Sequence, residues 1–330
     1  MKRNGAHRAS IAPRPPDEVR PLWSVMIPTF NCANYLAEAI GSVLAQDRGP
    51  EEMQIEVVDD ASSIDDPETV TRAIGQGRVL FHRQPSNVGH TRNFATCLDR
   101  ARGRLVHLLH GDDRVEPGFY AAMERAFSAA PAIGAAFCRN RYIDADGVER
   151  SIEDVLQGEA GVLANAVERL ADEQHIMTPS IVVLREVYER LGGFDERLRC
   201  SEDWEMWVRV AAAYPIWYEP QVLAAYRMHE NSNTGRNFRL ARELGYTRQA
   251  IEIFSNYLPS PTARTITSRA RATYAAVALS NARRLAQAGD LRGMGAHIAA
   301  ALRLCPHAGT AIKALDVALP RPWRKEARSG

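Results

Sequence analysis

Apolar residues in the first third of the chain fall in short runs, with stretches of helical spacing between them. Trp23 to Ile27 (WSVMI) reads as a strand stopped by Pro28. After Asn34, the positions Tyr35, Ala39, Val43 and Gln46 share helical spacing, with Leu36, Ile40 and Leu44 beside them. Ile55 to Val58 is the next strand and ends in Asp59-Asp60. Pro67 to Ile74 then reads as a short helix, Val79 to Phe81 as a strand and Thr91 to Ala101 as a helix. Leu105 to Leu109 is a fourth strand and Pro117 to Ala129 another helix. Such alternation predicts right-handed βαβ units and a mainly parallel sheet of the nucleotide-binding kind.

Past Pro131 the alternation weakens. Ile133 to Phe137 and Arg139 to Ile143 read as strands, and Asp146-Gly147 as a hairpin turn. Gly161 to Glu173 is expected to be a helix, Ser180 to Leu184 a strand, and Glu186 to Leu191 a helix ended by Gly192-Gly193. Cys200 to Ala213 is amphipathic, with Trp204, Trp207, Val208 and Ala211 on one face. Two short strands follow, near Ile216 to Tyr218 and Val222 to Tyr226. From Asn237 the chain has helical periodicity broken at Pro259, Pro261, Gly289 and Pro306, giving three or four helices. The domains expected are a disordered basic tail (1–20), an α/β domain (21–235, nucleotide half 21–130, acceptor half 131–235) and a helical C-terminal region (236–330).

Composition changes this picture little. The chain has 330 residues, 45% hydrophobic and 25% charged, with a net charge of +1 that gives no overall reason to expect nucleic acid. Five scattered cysteines without C-x-x-C spacing suit reduced thiols and a cytoplasmic protein. No run reaches the ~18 apolar residues that would span a bilayer. The basic tail with Trp323, Arg324 and Lys325 is expected to give at most weak peripheral contact with an anionic membrane.

Chemistry gathers just past successive strands: Pro28-Thr29-Phe30-Asn31, Asp59-Asp60, Asn87-Val88-Gly89-His90-Thr91-Arg92, and His110-Gly111-Asp112-Asp113. Each has a bland reading as a turn or helix cap. Together, in a parallel sheet, they share the edge where ligands bind. Paired carboxylates repel each other and stabilise no core. As hard oxygen ligands they suit Mg2+ or Mn2+, and Asp112 and Asp113 are read as holding a cation that holds a phosphorylated substrate. Glu202 and Asp203 open the tryptophan-bearing helix. They either complement its dipole or, with Asp203 raised in pKa beside buried rings, supply a general base. His229 is open between a metal ligand, a phosphate donor and a structural role. A dinucleotide dehydrogenase lacks its G-x-G-x-x-G here, and a P-loop NTPase its G-x-x-x-x-G-K-[ST]. A metal-dependent nucleotidyltransferase and a silent nucleotide-sugar-binding or scaffold protein stay open.

The strings SVMIPTFNCANYLAEAIGSVLAQ, EVVDDASSID, NVGHTRNFA, HLLHGDD with Pro117, LGGFDERL, CSEDWEMWVRVA and YRMHENSNT, in this order between Trp23 and Thr234, resemble glycosyltransferase family 2. The resemblance implies a Rossmann-like GT-A fold and an inverting transferase. Its donor would be a nucleoside-diphosphate sugar, a UDP-sugar foremost, and its acceptor a glycan, lipid-linked or other hydroxyl. It implies that Asp59 and Asp60 contact base and ribose and that Pro28, Thr29 and Asn31 line the nucleoside pocket. Asn87, Gly89, Arg92 and Asp113 would lie beside the diphosphate. By the same resemblance Asp112 binds a divalent cation with help from His229, and Asp203 is the catalytic base, preceded by Glu202. His110 stands where the family often has the first aspartate of Asp-x-Asp.

Overall fold

The computed structural model describes residues 7–230 and 232–319. They divide into two compact units: one through Leu170 and again from Gln174 to His229, the other from Glu230 onward with Ala171–Glu173.

The first unit is built on one sheet. Its early elements are β1 (Trp23–Thr29), α1 (Ala33–Leu44), β2 (Met53–Asp59), α2 (Pro67–Gly75), β3 (Leu80–Arg83), α3 (His90–Arg100), β4 (Leu105–Leu108), β5 (Arg114–Val115) and α4 (Phe119–Ala129). There follow β6 (Ala135–Ile143), β7 (Glu149–Ile152), β8 (Gly161–Val162), α5 (Ala166–Asp172), β9 (Ile181–Leu184), α6 (Arg185–Leu191), α7 (Glu202–Ala213) and β10 (Ile216–Arg227). The strand order is β3-β2-β1-β4-β9-β6-β10-β5, with β7 on β6 and β8 on β10. Along that path β3, β2, β1, β4, β6 and β10 all point one way, while β9 and β5 run against them. The mainly parallel sheet is therefore as expected. β1 and β2 are buried at every position, the polar Ser24, Gln54 and Glu56 included, which is why they read as mainly apolar runs. α1 lays Leu36, Ile40 and Val43 on one face of the sheet, in a core with Val25, Ile27, Ile55, Val57 and Phe119.

The structure corrects three sequence expectations in this unit. The segments either side of Cys138 are one strand, β6, because Arg139 and Arg141 are paired off: Arg139 donates to the Glu153 carbonyl at 2.7 and 2.9 Å, and Arg141 to the Glu149 carboxylate at 2.8 Å. The two short strands after Pro215 are likewise one, β10, with a register irregularity between Glu219 and Val222 that absorbs Pro220. Residues 161–162 form β8, and the helix expected from Gly161 begins only at Ala166.

The expected disordered tail is also corrected over residues 7–20. Ile11 is buried, Arg8 forms a bridge with Asp195, and the Ala9 and His7 carbonyls accept from the amides of Gly193 and Glu196 at 2.9 and 2.8 Å. Arg8 also donates to Glu205 on α7 at 3.1 Å. Residues 1–6 and the basic tail 320–330 lie outside the described residues.

The second unit is helical: α8 (Asn233–Phe238), α9 (Arg242–Phe254), α10 (Ser260–Gln287), α11 (Leu291–Leu304) and α12 (Ala308–Ala318). Gly289, with φ of +78°, closes the turn between α10 and α11, and the Asp290 side chain caps α11 by accepting from the Gly293 amide at 3.0 Å. No helix among the described residues is long and apolar enough to cross a membrane.

Candidate active site

The carboxyl ends of β1, β2 and β4 are hydrogen-bonded to one another by the loops that leave them. Asn31, at the left-handed φ of +53°, accepts from the Ser63 amide at 2.8 Å, and its own amide donates to Ser62 Oγ at 2.8 Å. Asp59 is fully buried and accepts from Ser62 Oγ at 2.6 Å and from Arg83 Nε at 2.7 Å. Asp60 accepts from the amides of Val88 and Gly89 at 2.8 and 3.0 Å, clipping the turn before α3 to the end of β2. Burial pushes its carboxyl up, although those two amides oppose the shift. Asn87 donates to the Asp60 carbonyl at 3.3 Å, and Gly89, with φ of +86°, is the N-cap of α3. Gly111 donates to the Pro28 carbonyl at 3.0 Å and lies so close to β1 that a Cβ there would come within 2.9 Å of Thr29 Oγ1. The sequence-chosen positions Pro28, Thr29, Asn31, Asp59, Asp60, Asn87 and Gly89 thus share one edge of the sheet. Arg92, one turn into α3, is exposed and paired with Glu196 at 2.9 Å.

Beyond β4 the ligand atoms of His110, Asp112 and Asp113 lie within 4.8 Å of one another. His229, two residues past β10, meets Asp112 Oδ2 at 3.0 Å. Burial pushes Asp112 up, but His229 and the charge of His110 outweigh it and hold the carboxyl below its usual range. Asp113 goes the other way, to about 6, because burial dominates. One of its oxygens accepts from the Arg227 amide at 2.8 Å; the other, Oδ2, is buried without a hydrogen-bond partner and lies 3.4 Å from His110 Nδ1. Burial works against a charge on His110, yet Asp113 and its acidic neighbours raise the imidazole to about 8. His110 also stacks on Phe94, with centroids 5.2 Å apart. A buried carboxylate oxygen without a donor, two histidines and a second carboxylate form a donor set that fits a hard or borderline divalent cation.

Arg227 is the organiser that sequence reasoning missed. Nearly fully buried, it donates from Nε to the Asp112 carbonyl at 2.8 Å and from Nη1 to the Asp144 and Ala145 carbonyls at 3.1 and 3.2 Å. It also pairs with Glu38 and lies 4.6 Å over the Tyr35 ring. Its only signal in the sequence is an arginine at the end of an apolar run, two residues before His229.

The other half of the site comes from the start of α7. Glu202 pairs with His90 at 3.1 Å; burial pushes its carboxyl up, but the imidazole more than offsets this and lowers it. Next to it, burial and the Glu202 charge push Asp203 up to about 7. Asp203 accepts from the Trp204 amide and from Gln174 Nε2, both at 2.8 Å, and from Thr178 Oγ1 at 3.5 Å. Two adjacent carboxylates with pKa values driven apart divide the work: Glu202 is held as an ion-pair partner, and Asp203 is left poised near neutrality. Asp203 is one of the acids that raise His110, so the α7 carboxylate and the acidic cluster act in one electrostatic neighbourhood.

The wall beside Asp203 is fixed from beneath. The turn Thr178–Ser180 presents the Pro179 carbonyl to His107 Nε2 at 3.0 Å, and His107 Nδ1 faces the Tyr120 hydroxyl at 3.2 Å. A carbonyl only accepts, so Nε2 carries the proton and Tyr120 donates to Nδ1. Burial keeps this imidazole neutral, with its pKa lowered to about 4. Gly192 to Asp195 is lined by the segment around Arg8 and Ala9.

Comparison with known proteins gives three results. The model of glycosyl transferase family 2 matches residues 24–192. An uncharacterized protein of Mycobacterium tuberculosis is 30% identical over 230 residues, covering 66% of this chain and 70% of that one, and an uncharacterized glycosyltransferase of Rickettsia typhi is 25% identical over 226 residues, covering 65% and 66%. Among solved structures, S. aureus TarS 1-349 in complex with UDP-GlcNAc superposes with a TM-score of 0.63 at 16% identity, over 86% of this chain and 82% of that chain. A mannosyltransferase from Pyrobaculum calidifontis in complex with GDP-Man and Mn2+ gives 0.59 at 20% identity, over 96% and 85%.

Proposed function

Because the chain belongs to glycosyl transferase family 2, has the GT-A fold and is an enzyme of the glycosyltransferase class, we propose that it transfers a sugar from a nucleoside diphosphate, a UDP-sugar foremost, to an acceptor hydroxyl with inversion. The observation that carries this reading is the pairing of a base poised near neutrality, Asp203, with the converging His110, Asp112 and Asp113. The solved relatives with UDP-GlcNAc and with GDP-Man and Mn2+ support a nucleotide-sugar donor and a divalent cation.

In this mechanism Asp59, Asp60, Thr29 and Asn31 hold the nucleoside, and the α3 amino terminus with Asn87, Gly89 and Arg92 faces the diphosphate. Asp112 and Asp113, aided by His110 and His229, would hold a divalent cation, which would offset the charge on the departing diphosphate. Asp203 takes the proton from the acceptor hydroxyl as its oxygen attacks the anomeric carbon opposite the leaving group. The C–O bond to the diphosphate breaks as the new glycosidic bond forms. Thr178 and Gln174 orient the Asp203 carboxylate, and Glu202 stays paired with His90. We place the reaction in the cytoplasm, a reading supported by five cysteines that form no disulfide among the described residues.

The test is product analysis with a panel of nucleotide sugars, Mn2+ and simple hydroxyl acceptors. Release of free nucleoside diphosphate with an inverted product is expected. Pyrophosphate release would mean a nucleotidyltransferase, and tight donor binding without turnover on any acceptor a silent binder.

A further inference from the structure

The two parts of the chain differ sharply in charge. From residue 230 on there are sixteen Lys and Arg against six Asp and Glu, a net of +10, which leaves the first 229 residues at −9. The near-zero total hides this asymmetry, which is of the kind that marks contact with an anionic partner. Part of the basic charge in the helical unit is spent internally, as in Arg239 with Asp290 and Arg248 with Glu252. Arg283, Arg303 and Lys313 are exposed and have no ion pair among the described residues.

The apolar pattern of α12 is a second and independent observation. Its buried residue is Ala314, while Ile312, Leu315 and Leu319 are 63%, 59% and 52% exposed. Spaced i, i+3 and i+7, these three form one stripe on the side of the helix away from Ala314. A surface helix ordinarily turns its large apolar residues inward; here the small residue faces in and the large ones face out.

We propose that α12 docks on an anionic lipid bilayer surface, with Ile312, Leu315 and Leu319 entering the acyl boundary and the exposed Arg and Lys of the helical unit, Lys313 on α12 itself among them, meeting lipid phosphates. An interfacial helix combines an apolar stripe with cations on the same body. A second copy docking through the same helical unit is a poorer occupant, because it would bring the same +10 to the contact. Nucleic acid would use the cations but has no use for an aliphatic stripe. This inference is independent of the sugar-transfer chemistry.

The experiment is flotation of the full chain with vesicles of phosphatidylcholine alone and of phosphatidylcholine with one third phosphatidylglycerol, at low and high salt. Binding is expected only to the anionic vesicles, weakened by salt. I312E/L315E should lower vesicle affinity by about tenfold or more, given the transfer free energy of two aliphatic side chains. Its circular dichroism and nucleoside diphosphate release should remain at wild-type levels. Arg303→Glu with Lys313→Glu should lower binding and its salt dependence together. The proposal is overturned if anionic vesicles do not capture the chain or if I312E/L315E binds them as well as wild type. It is equally overturned if sedimentation shows a dimer that I312E/L315E dissolves, or if duplex DNA is bound while vesicles are not.

Discussion

Replacing Asp203 by asparagine keeps the size of the side chain and removes its proton-accepting capacity. General-base assistance is worth ~10²–10⁴-fold, or about 3–5.5 kcal/mol of barrier, and the loss in kcat should fall in that range. The Asn carbonyl oxygen can still accept from the Trp204 amide, but its NH2 would then face Gln174 Nε2, a donor against a donor, so one hydrogen bond of about 1 kcal/mol is lost unless the Gln174 amide turns. With the Asp203 pKa at about 7, wild-type kcat/KM should climb tenfold per pH unit below neutrality and level off above it; Asp203→Asn should lack that limb. Stability should move the other way. A carboxyl raised from 3.8 to about 7 in the fold favours the folded state fully below the unfolded pKa, and that contribution is lost as pH rises through about 7. Asp203→Asn escapes this loss, so its Tm should exceed that of wild type at about pH 8. Nucleoside diphosphate release across pH, with thermal melts on the same samples, measures both. Near-wild-type turnover, or an unchanged acidic limb, would refute the assignment.

Three further outcomes follow from the geometry. Asp112→Asn should lower donor affinity in the presence of Mn2+ and leave nucleotide binding without the ion nearly unchanged, as calorimetry with and without the ion will report; equal affinities in both would refute its role. Gly111→Ala forces a Cβ to within 2.9 Å of Thr29 Oγ1 and 3.1 Å of Cys32 Sγ, so it should cost about 1–3 kcal/mol in urea unfolding and raise the donor KM. Arg8→Ala removes one partner each of Glu205 and Asp195, which keep Arg209 and Arg197, and should cost about 1–3 kcal/mol, with faster amide exchange at Gly193 and Glu196 whose amides meet that segment.

The nucleotide half was legible because β1, β2 and β4 are buried on both faces and the loops carry chemistry at each strand end. β1, β2 and β4 show as mainly apolar runs, with Ser24, Gln54, Glu56 and His107 buried among them, and Asp59, Asp60, Asp112 and Asp113 mark the edge directly. The acceptor half was less so, since β6 and β10 are interrupted by Arg139, Arg141 and Glu219-Pro220, whose polar groups find partners remote in sequence. Local composition also misled at the amino terminus: Pro- and Arg-rich residues look unable to fold, yet Arg8 meets Glu205, whose position nothing local discloses. Arg227 was invisible for the same reason. The lowering of Glu202 depends on His90, which no spacing along the chain connects to it.

Arg227 also sets the order in which the site can be completed. The acidic pair leaves the ribosome with β1 to β4, but the arginine that holds the Asp112 carbonyl follows 115 residues later. Until β10 has been synthesised and has taken its place beside β6, two neighbouring carboxylates repel each other with no clamp to fix them. Competence to act is therefore a late acquisition of the nascent chain. A fragment ending before Arg227 would keep the acidic motif intact and lack the geometry that gives it use.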